Sequence, residues 1–300
     1  MTSTYDSQLK KMKTAPGFIA ALDQSGGSTP KALGLYGIPE TEYVKGETSM
    51  FDQVHKMRER IVTSKSFNGD RILAAILFED TCRRVIEGMP SAKFLWEKKG
   101  VVPIIKIDQG LEEERNGVQL MKPLSKLDDL LELAKENEIF GTKARSVIKL
   151  ANENGIKANV QQQFNVGKKV CEAGLHPIIE PEVDIKSPEK EQAEAILKEV
   201  LLDNLNALSP DEKIMLKLTI PTKANLYKEV IAHPNVLRVV ALSGGYSRSE
   251  ANELLAQNED LIASFSRALT EGLSANDTAD EFDAKLDDSI GSIYSASVEK

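Results

Sequence analysis

The sequence predicts an α/β fold, a (β/α)8 barrel, and three observations lead there. Short apolar runs rich in β-branched residues recur eight times along the 300-residue chain. Amphipathic segments carrying helix-start signals separate them. Ionisable residues interrupt several runs, most of them late in the run.

The runs are 17–23 (GFIAALD), 71–79 (RILAAILFE), 101–108 (VVPIIKID), 139–148 (IFGTKARSVI), 177–183 (PIIEPEV), 214–220 (IMLKLTI), 236–243 (VLRVVALS) and 261–269 (LIASFSRAL). A parallel strand covered on both faces reads as a continuous apolar run, without the alternation of a half-exposed strand. Between them, Ser187-Pro188 predicts a helix start with Ser as cap and Pro in the first turn. Residues 247–250 (SRSE) have the spacing of a capping box. Eight strand–helix units within about 250 residues favour a closed barrel over an open doubly wound sheet. No Gly/Ser linker or low-complexity tract divides the chain, so a single domain over 1–300 is expected. Beyond about residue 274 the chain is acidic and Ser-rich, which predicts a short helix over 280–287 and then a frayed end.

The net charge of −8 argues against nucleic acid or an anionic membrane as partner. It leaves open a small anionic ligand, which responds to a local cluster of Lys and Arg. The first fifteen residues lack the apolar stretch of a signal peptide, and no run approaches membrane-spanning length, so a cytoplasmic protein is expected. Two cysteines, Cys82 and Cys171, are too few for a disulfide framework. The three histidines, His55, His176 and His233, stand apart from one another without zinc-ligand spacing, so no metal site is expected.

Charges inside buried strands are costly unless compensated, yet they recur here. Lys106 and Asp108, Lys143 and Arg145, and Glu180 and Glu182 each stand two apart, so each pair faces one side of its strand. Asp23 closes its run, and Lys217 sits in IMLKLTI behind three apolar residues. For a single residue, a surface charge just past a strand end is an even-handed alternative. Five strands doing so at one level is not. Catalytic groups of these barrels come from the C-terminal strand ends, which gathers all eight residues at one mouth. The segment ALSGGYSRSE joins a strand, a Gly-Gly turn and a helix start, a build that brings backbone N–H groups close to an anion, and DQSGGSTPKAL repeats it. Arg267, in the eighth run, supplies a guanidinium beside the first of these.

At this point the chain resembles class I fructose-1,6-bisphosphate aldolases, most closely the short bacterial branch. The motifs are ALDQSGGS, GVVPIIKIDQG, TKARSVIKL, PIIEPEV, MLKL, LSGG and FSRAL, in that order and spanning most of the chain. The resemblance implies a lyase that cleaves fructose 1,6-bisphosphate reversibly, in glycolysis and gluconeogenesis, through a lysine Schiff base, with no cofactor and no metal. It implies that Lys217 forms the imine, Glu180 handles protons, Glu182 is its neighbour, Lys143 is the second active-site lysine, and Asp23 stands at the cleavage point. It further implies that Ser25, Ser28 and Lys106, with Arg145 nearby, hold one phosphate, and Ser243, Gly244, Gly245, Ser264 and Arg267 the other.

Two departures mark this chain: Ala144 and Leu218-Thr219 stand where longer members have Trp and Pro-Asn. Tyr294 is not equated with the terminal tyrosine of longer members. Glu180 is expected to have a raised pKa from Glu182 and partial burial. A transaldolase-like or deoxyribose-phosphate aldolase-like enzyme would keep the lysine with less need of two anion sites. A non-catalytic sugar-phosphate-binding protein would show loss of Lys217, Lys143 or Glu180, all of which are present. The sequence does not set the oligomeric state.

Overall fold

The computed structural model describes residues 3–25 and 27–300. Eight parallel strands close on themselves: β1 (Phe18–Leu22), β2 (Ile72–Leu77), β3 (Val102–Lys106), β4 (Gly141–Ile148), β5 (His176–Val183), β6 (Ile214–Thr219), β7 (Val236–Leu242) and β8 (Ile262–Phe265). Each pairs with the next, and β8 pairs back onto β1 through Ile19↔Ser264 and Ala20↔Phe265. The closed barrel is therefore present, and the open sheet is not.

The apolar runs are strands because their two faces meet different apolar layers. Ile19 and Ala21 of β1, Ile104 of β3, Ile178 of β5 and Met215 of β6 fill the barrel interior, while Phe18, Ala20, Ile105, Ile179 and Leu216 face the surrounding helices. The N-terminal helix Thr4–Thr14 contributes Met12 to the interior cluster. Arg238 of β7 donates to Met12 O and Ala15 O at 2.9 Å each and so satisfies carbonyls at that helix's end. With its lower half packed apolar, the barrel keeps its polar inward positions for the opposite end.

Four expectations need correction. The eighth run is only half strand: after Phe265 the chain turns into a short helix, Arg267–Thr270, because β8 has exhausted its pairing with β1 and β7. The helix after β5 begins at Lys190, later than Ser187-Pro188 suggests, and the Ser187 hydroxyl accepts from the Glu189 N–H in the turn before it. Ser247 does cap the helix Arg248–Ala256 by accepting from the Glu250 N–H, but the reciprocal half of a capping box is not made.

The C-terminal segment departs most. It is a 20-residue helix, Ala279–Val298, opened by a complete capping box between Thr278 and Glu281. Phe282, Leu286, Ile290 and Ile293 recur at helical spacing and are buried against the core. Arg60 lies over the Phe282 ring, 4.2 Å from its centroid, and donates to the carbonyls of Ser274 and Ala275, pinning the helix entry. Of the acidic residues that suggested a loose tail, Asp280, Glu281, Asp287 and Asp288 are exposed, while Asp283 accepts from the Ser64 hydroxyl and the Ser66 N–H and so helps dock the helix. Ile290→Ala is expected to lower stability by about 2–5 kcal/mol, as for a buried aliphatic truncation. Chemical denaturation checks this, and a loss below about 0.5 kcal/mol would place the helix outside the cooperative core.

Candidate active site

Alternation along the closed barrel builds the site. On β5 the inward series runs Ile178, Glu180, Glu182, and on β3 it runs Ile104, Lys106, then Asp108 just beyond the strand. On β6, Lys217 follows Met215 two residues on, facing inward, and it is 4% exposed. Pairing brings these levels together: Lys106 aligns with Lys143, and Arg145 with Glu180.

The side chains meet in one ionic cluster. Lys143 Nζ lies 2.6 Å from Asp23 Oδ2 and 2.7 Å from Glu180 Oε2. Glu180 Oε1 lies 3.1 Å from Lys217 Nζ, so one carboxylate bridges the two lysines. Arg145 pairs with Glu182, and its backbone N–H donates to Asp108 at 3.1 Å. Lys106 pairs with Asp108.

These contacts set the proton affinities. Burial alone would raise the pKa of Glu180, but the ammonium groups of Lys143 and Lys217 outweigh it and hold the carboxyl below its ordinary value. This reverses the raised pKa expected from the sequence: Glu182 is engaged by Arg145, and cations face Glu180 instead. Asp23 is likewise held low, because Lys143, Lys217 and Lys106 overcome its burial. Lys143 is held well above the usual lysine value, since Asp23 and Glu180 overcome desolvation. Burial and the nearby charge of Lys143 push Lys106 down, with Asp108 opposing them.

A cavity of about 320 Å³ opens above this cluster. Its wall includes Asp23, Ser25, Ser28, Lys106, Lys143, Arg145, Glu180, Glu182, Lys217, Ser243, Gly244, Ser264 and Arg267. Gly245 is not part of the wall, although a Cβ on it would lie 3.6 Å from the Arg267 guanidinium. Gly244 and Gly245 have φ of 62° and 132°, so the turn after β7 takes a backbone that side chains disfavour. A Cβ at Gly244 would also lie 2.5 Å from Ile185.

Including Lys31, the wall holds six basic and four acidic side chains among the described residues, a local positive excess in a chain of net charge −8. That favours an anionic ligand. Ser28 does not cap the helix after β1 with its hydroxyl, which bonds the Ser25 backbone instead, and Gly26 of that turn lies outside the described residues. Tyr294 packs against the core within the C-terminal helix and does not reach the cavity.

Three wall residues with polar side chains escape the strand pattern: Gln24, Lys31 and Ser266. Gln24 and Lys31 follow β1, where no alternation operates. Ser266 is two residues past Ser264 and beside Arg267, a spacing that could have included it. No group of three or more His, Cys, Asp or Glu among the described residues could hold a metal ion. No described helix is long and apolar enough to cross a membrane.

Residues 9–235 match the family model for fructose-bisphosphate aldolase class-I. The chain belongs to the class I fructose-bisphosphate aldolase family. A protein of Synechocystis named fructose-bisphosphate aldolase class 1 is 60% identical over 291 residues, covering 97% of both chains. One of the same name from Porphyromonas gingivalis is 58% identical, covering 97% of this chain and 98% of the relative. In fold the chain resembles the fructose-bisphosphate aldolase of Plasmodium falciparum, with a TM-score of 0.77 at 22% identity, covering 98% of this chain and 93% of that one. The barrel assigned from the strand pattern is thus the architecture of a known aldolase.

In this aldolase Lys143 is the hub of the buried charges, which makes its removal informative. Lys143→Met strips a cation from Asp23 and Glu180, and breaking one partner of a buried pair costs about 3–5 kcal/mol. Both carboxyls have depressed folded pKa values, so the stability they contribute is present above the unfolded values, about 4, and is lost as pH falls through the folded ones. In the variant they take up protons more readily, which relieves the penalty in acid. The gap in Tm between wild type and variant is expected to be wide at pH 7 and narrower at pH 4. A gap independent of pH would mean that Lys143 contributes packing alone.

Proposed function

We propose that the cavity cleaves fructose 1,6-bisphosphate reversibly to dihydroxyacetone phosphate and glyceraldehyde 3-phosphate, with Lys217 as the covalent nucleophile. The observation that carries this reading is the contact of Glu180 with Lys217 inside a cavity of net positive charge. The family assignment supports the same activity.

Breaking C3–C4 of a ketose leaves an electron pair on C3 that needs an acceptor. The Lys217 amine adds to the C2 carbonyl, and loss of water from the carbinolamine gives an iminium ion. A base then takes the proton of the C4 hydroxyl, the C4 aldehyde forms, and the C3–C4 electron pair moves into the iminium as an enamine. Protonation at C3 and hydrolysis release dihydroxyacetone phosphate and restore the amine.

Glu180 begins this sequence ionised, so its first role is as base: it receives a proton from the Lys217 ammonium and returns it when water leaves. Lys143 remains charged and holds Asp23 and Glu180 in place around the reacting carbons. Glu182 is occupied by Arg145 and acts by orienting that guanidinium. One phosphate binds Ser25, Ser28 and Lys106 with Arg145 nearby, and the other binds Ser243, Gly244, Ser264 and Arg267, with Gly245 shaping the turn behind them. The enzyme acts on free sugar phosphates in the cytoplasm and works without a cofactor or metal.

Borohydride reduction in the presence of dihydroxyacetone phosphate should convert the imine to a stable secondary amine on Lys217, located by peptide mapping. Attachment to Lys106 or Lys143, or turnover without any attachment, would overturn the assignment. Glu180→Gln should lower kcat by about 10²–10⁴-fold with the fold intact by circular dichroism. Near-normal turnover would move the proton transfer to Asp23 or Glu182.

A further inference from the structure

Arg58, on the helix Thr48–Thr63, is fully buried and takes no part in the chemistry above. Its acceptors are neutral: Nη2 donates to Gln24 O at 2.6 Å and to Gln24 Oε1 at 3.1 Å, and Nη1 donates to Thr81 Oγ1 at 2.8 Å. Gln24 then donates from Nε2 to Ser266 Oγ at 2.9 Å. This chain of bonds follows the rim of the barrel over three neighbouring strands, from the short helix Glu79–Cys82 after β2 to the loop after β1 and on to the end of β8.

The chain has a direction. A guanidinium can only donate, so Gln24 must turn its carbonyl oxygen to Arg58 and its amide nitrogen to Ser266. An amide N–H2 can only donate as well, so Ser266 Oγ is committed as an acceptor there. The hydroxyl proton of Ser266 is left to point elsewhere, and Ser266 lines the cavity next to Arg267. Burial pushes the Arg58 guanidinium down to about 10, against the pull of the Asp23 carboxylate. A cation kept at that cost, with acceptors that orient rather than neutralise it, acts through its geometry.

We propose that Arg58 is a positioning residue that acts through Gln24 to fix the Ser266 hydroxyl as a donor toward the substrate phosphate at Arg267. The proposal rests on the two-phosphate reading of the cavity and adds to it residues from outside the strand-end pattern. It also makes Gln24 the tie between the two anion sites, since Gln24 adjoins Ser25 in one and bonds Ser266 in the other.

The test is calorimetric binding of glucitol 1,6-bisphosphate, which has no carbonyl and cannot form an imine, so anion recognition is read apart from cleavage. Gln24→Met keeps the side chain's length and loses both hydrogen bonds, and affinity should fall roughly tenfold, as for one lost oriented donor to a phosphate. In a Ser266→Ala background the same substitution should cost less than about twofold, because residues acting through one another are not additive. Arg58→Lys keeps the charge but not the fork, and should show the same pattern at smaller size; it carries the test if Gln24→Met does not fold.

Equal losses in both backgrounds, or no loss in either, would overturn the proposal. Wild type that fails to bind the bisphosphate would remove the anion site and the proposal together. Binding with the expected coupling but without borohydride trapping at Lys217 would leave this proposal standing and remove the aldolase mechanism alone.

Discussion

Lys143 sits where the rest of the site depends on it. Its ammonium lies against Asp23 of the first strand's end and Glu180 of β5, and Glu180 in turn holds Lys217 of β6. Three carboxylate–ammonium contacts therefore join four strands at one level of the barrel. Removing Lys143 strands Asp23, and removing Glu180 strands Lys217, in a buried environment where an unpaired charge costs several kcal/mol. The same cluster sets the protonation states from which chemistry would begin, with the carboxylates charged and Lys143 charged between them. Structural compensation and catalytic readiness are here one arrangement.

Closure of the barrel is what makes that arrangement available. In an open sheet, charges on distant strands would not face one another; in the closed one, inward positions of β1, β3, β4, β5 and β6 converge on a common axis. The alternation has a division of labour along its length. Inward residues near the strand starts are apolar and packed, with Met12 of the N-terminal helix among them and Arg238 of β7 as a charged exception that bonds that helix's end, and inward residues near the ends are ionic. A rigid apolar base thus supports a polar mouth, and the loops beyond the strand ends complete the cavity wall.

The periphery contributes more than the strand pattern suggests. The C-terminal helix covers part of the outer wall with an apolar stripe and is fastened by Arg60 of the helix Thr48–Thr63, while Arg58, two residues earlier on that second helix, turns inward to the mouth. One helix therefore carries a fastening for the outer layer and a buried cation serving the loops. Neighbouring arginines have divergent duties because positions two apart on a helix lie on different faces.

The sequence by itself determined the parallel strands, their order and the ionic level at their ends, because these follow from local rules: continuous burial, period-two alternation and the direction of the chain. The motifs determined the family. The direction of the pKa shift at Glu180 was not legible, because its neighbour Glu182 lies close in sequence while Lys143 and Lys217, which decide the shift, arrive from other strands. The full length of the C-terminal helix is not legible in the sequence, because acidic composition masks an apolar stripe that acquires meaning only against the barrel wall. Gln24 and Ser266 were missed as a pair because 242 positions separate them, and only closure of β8 onto β1 brings their side chains within hydrogen-bond distance.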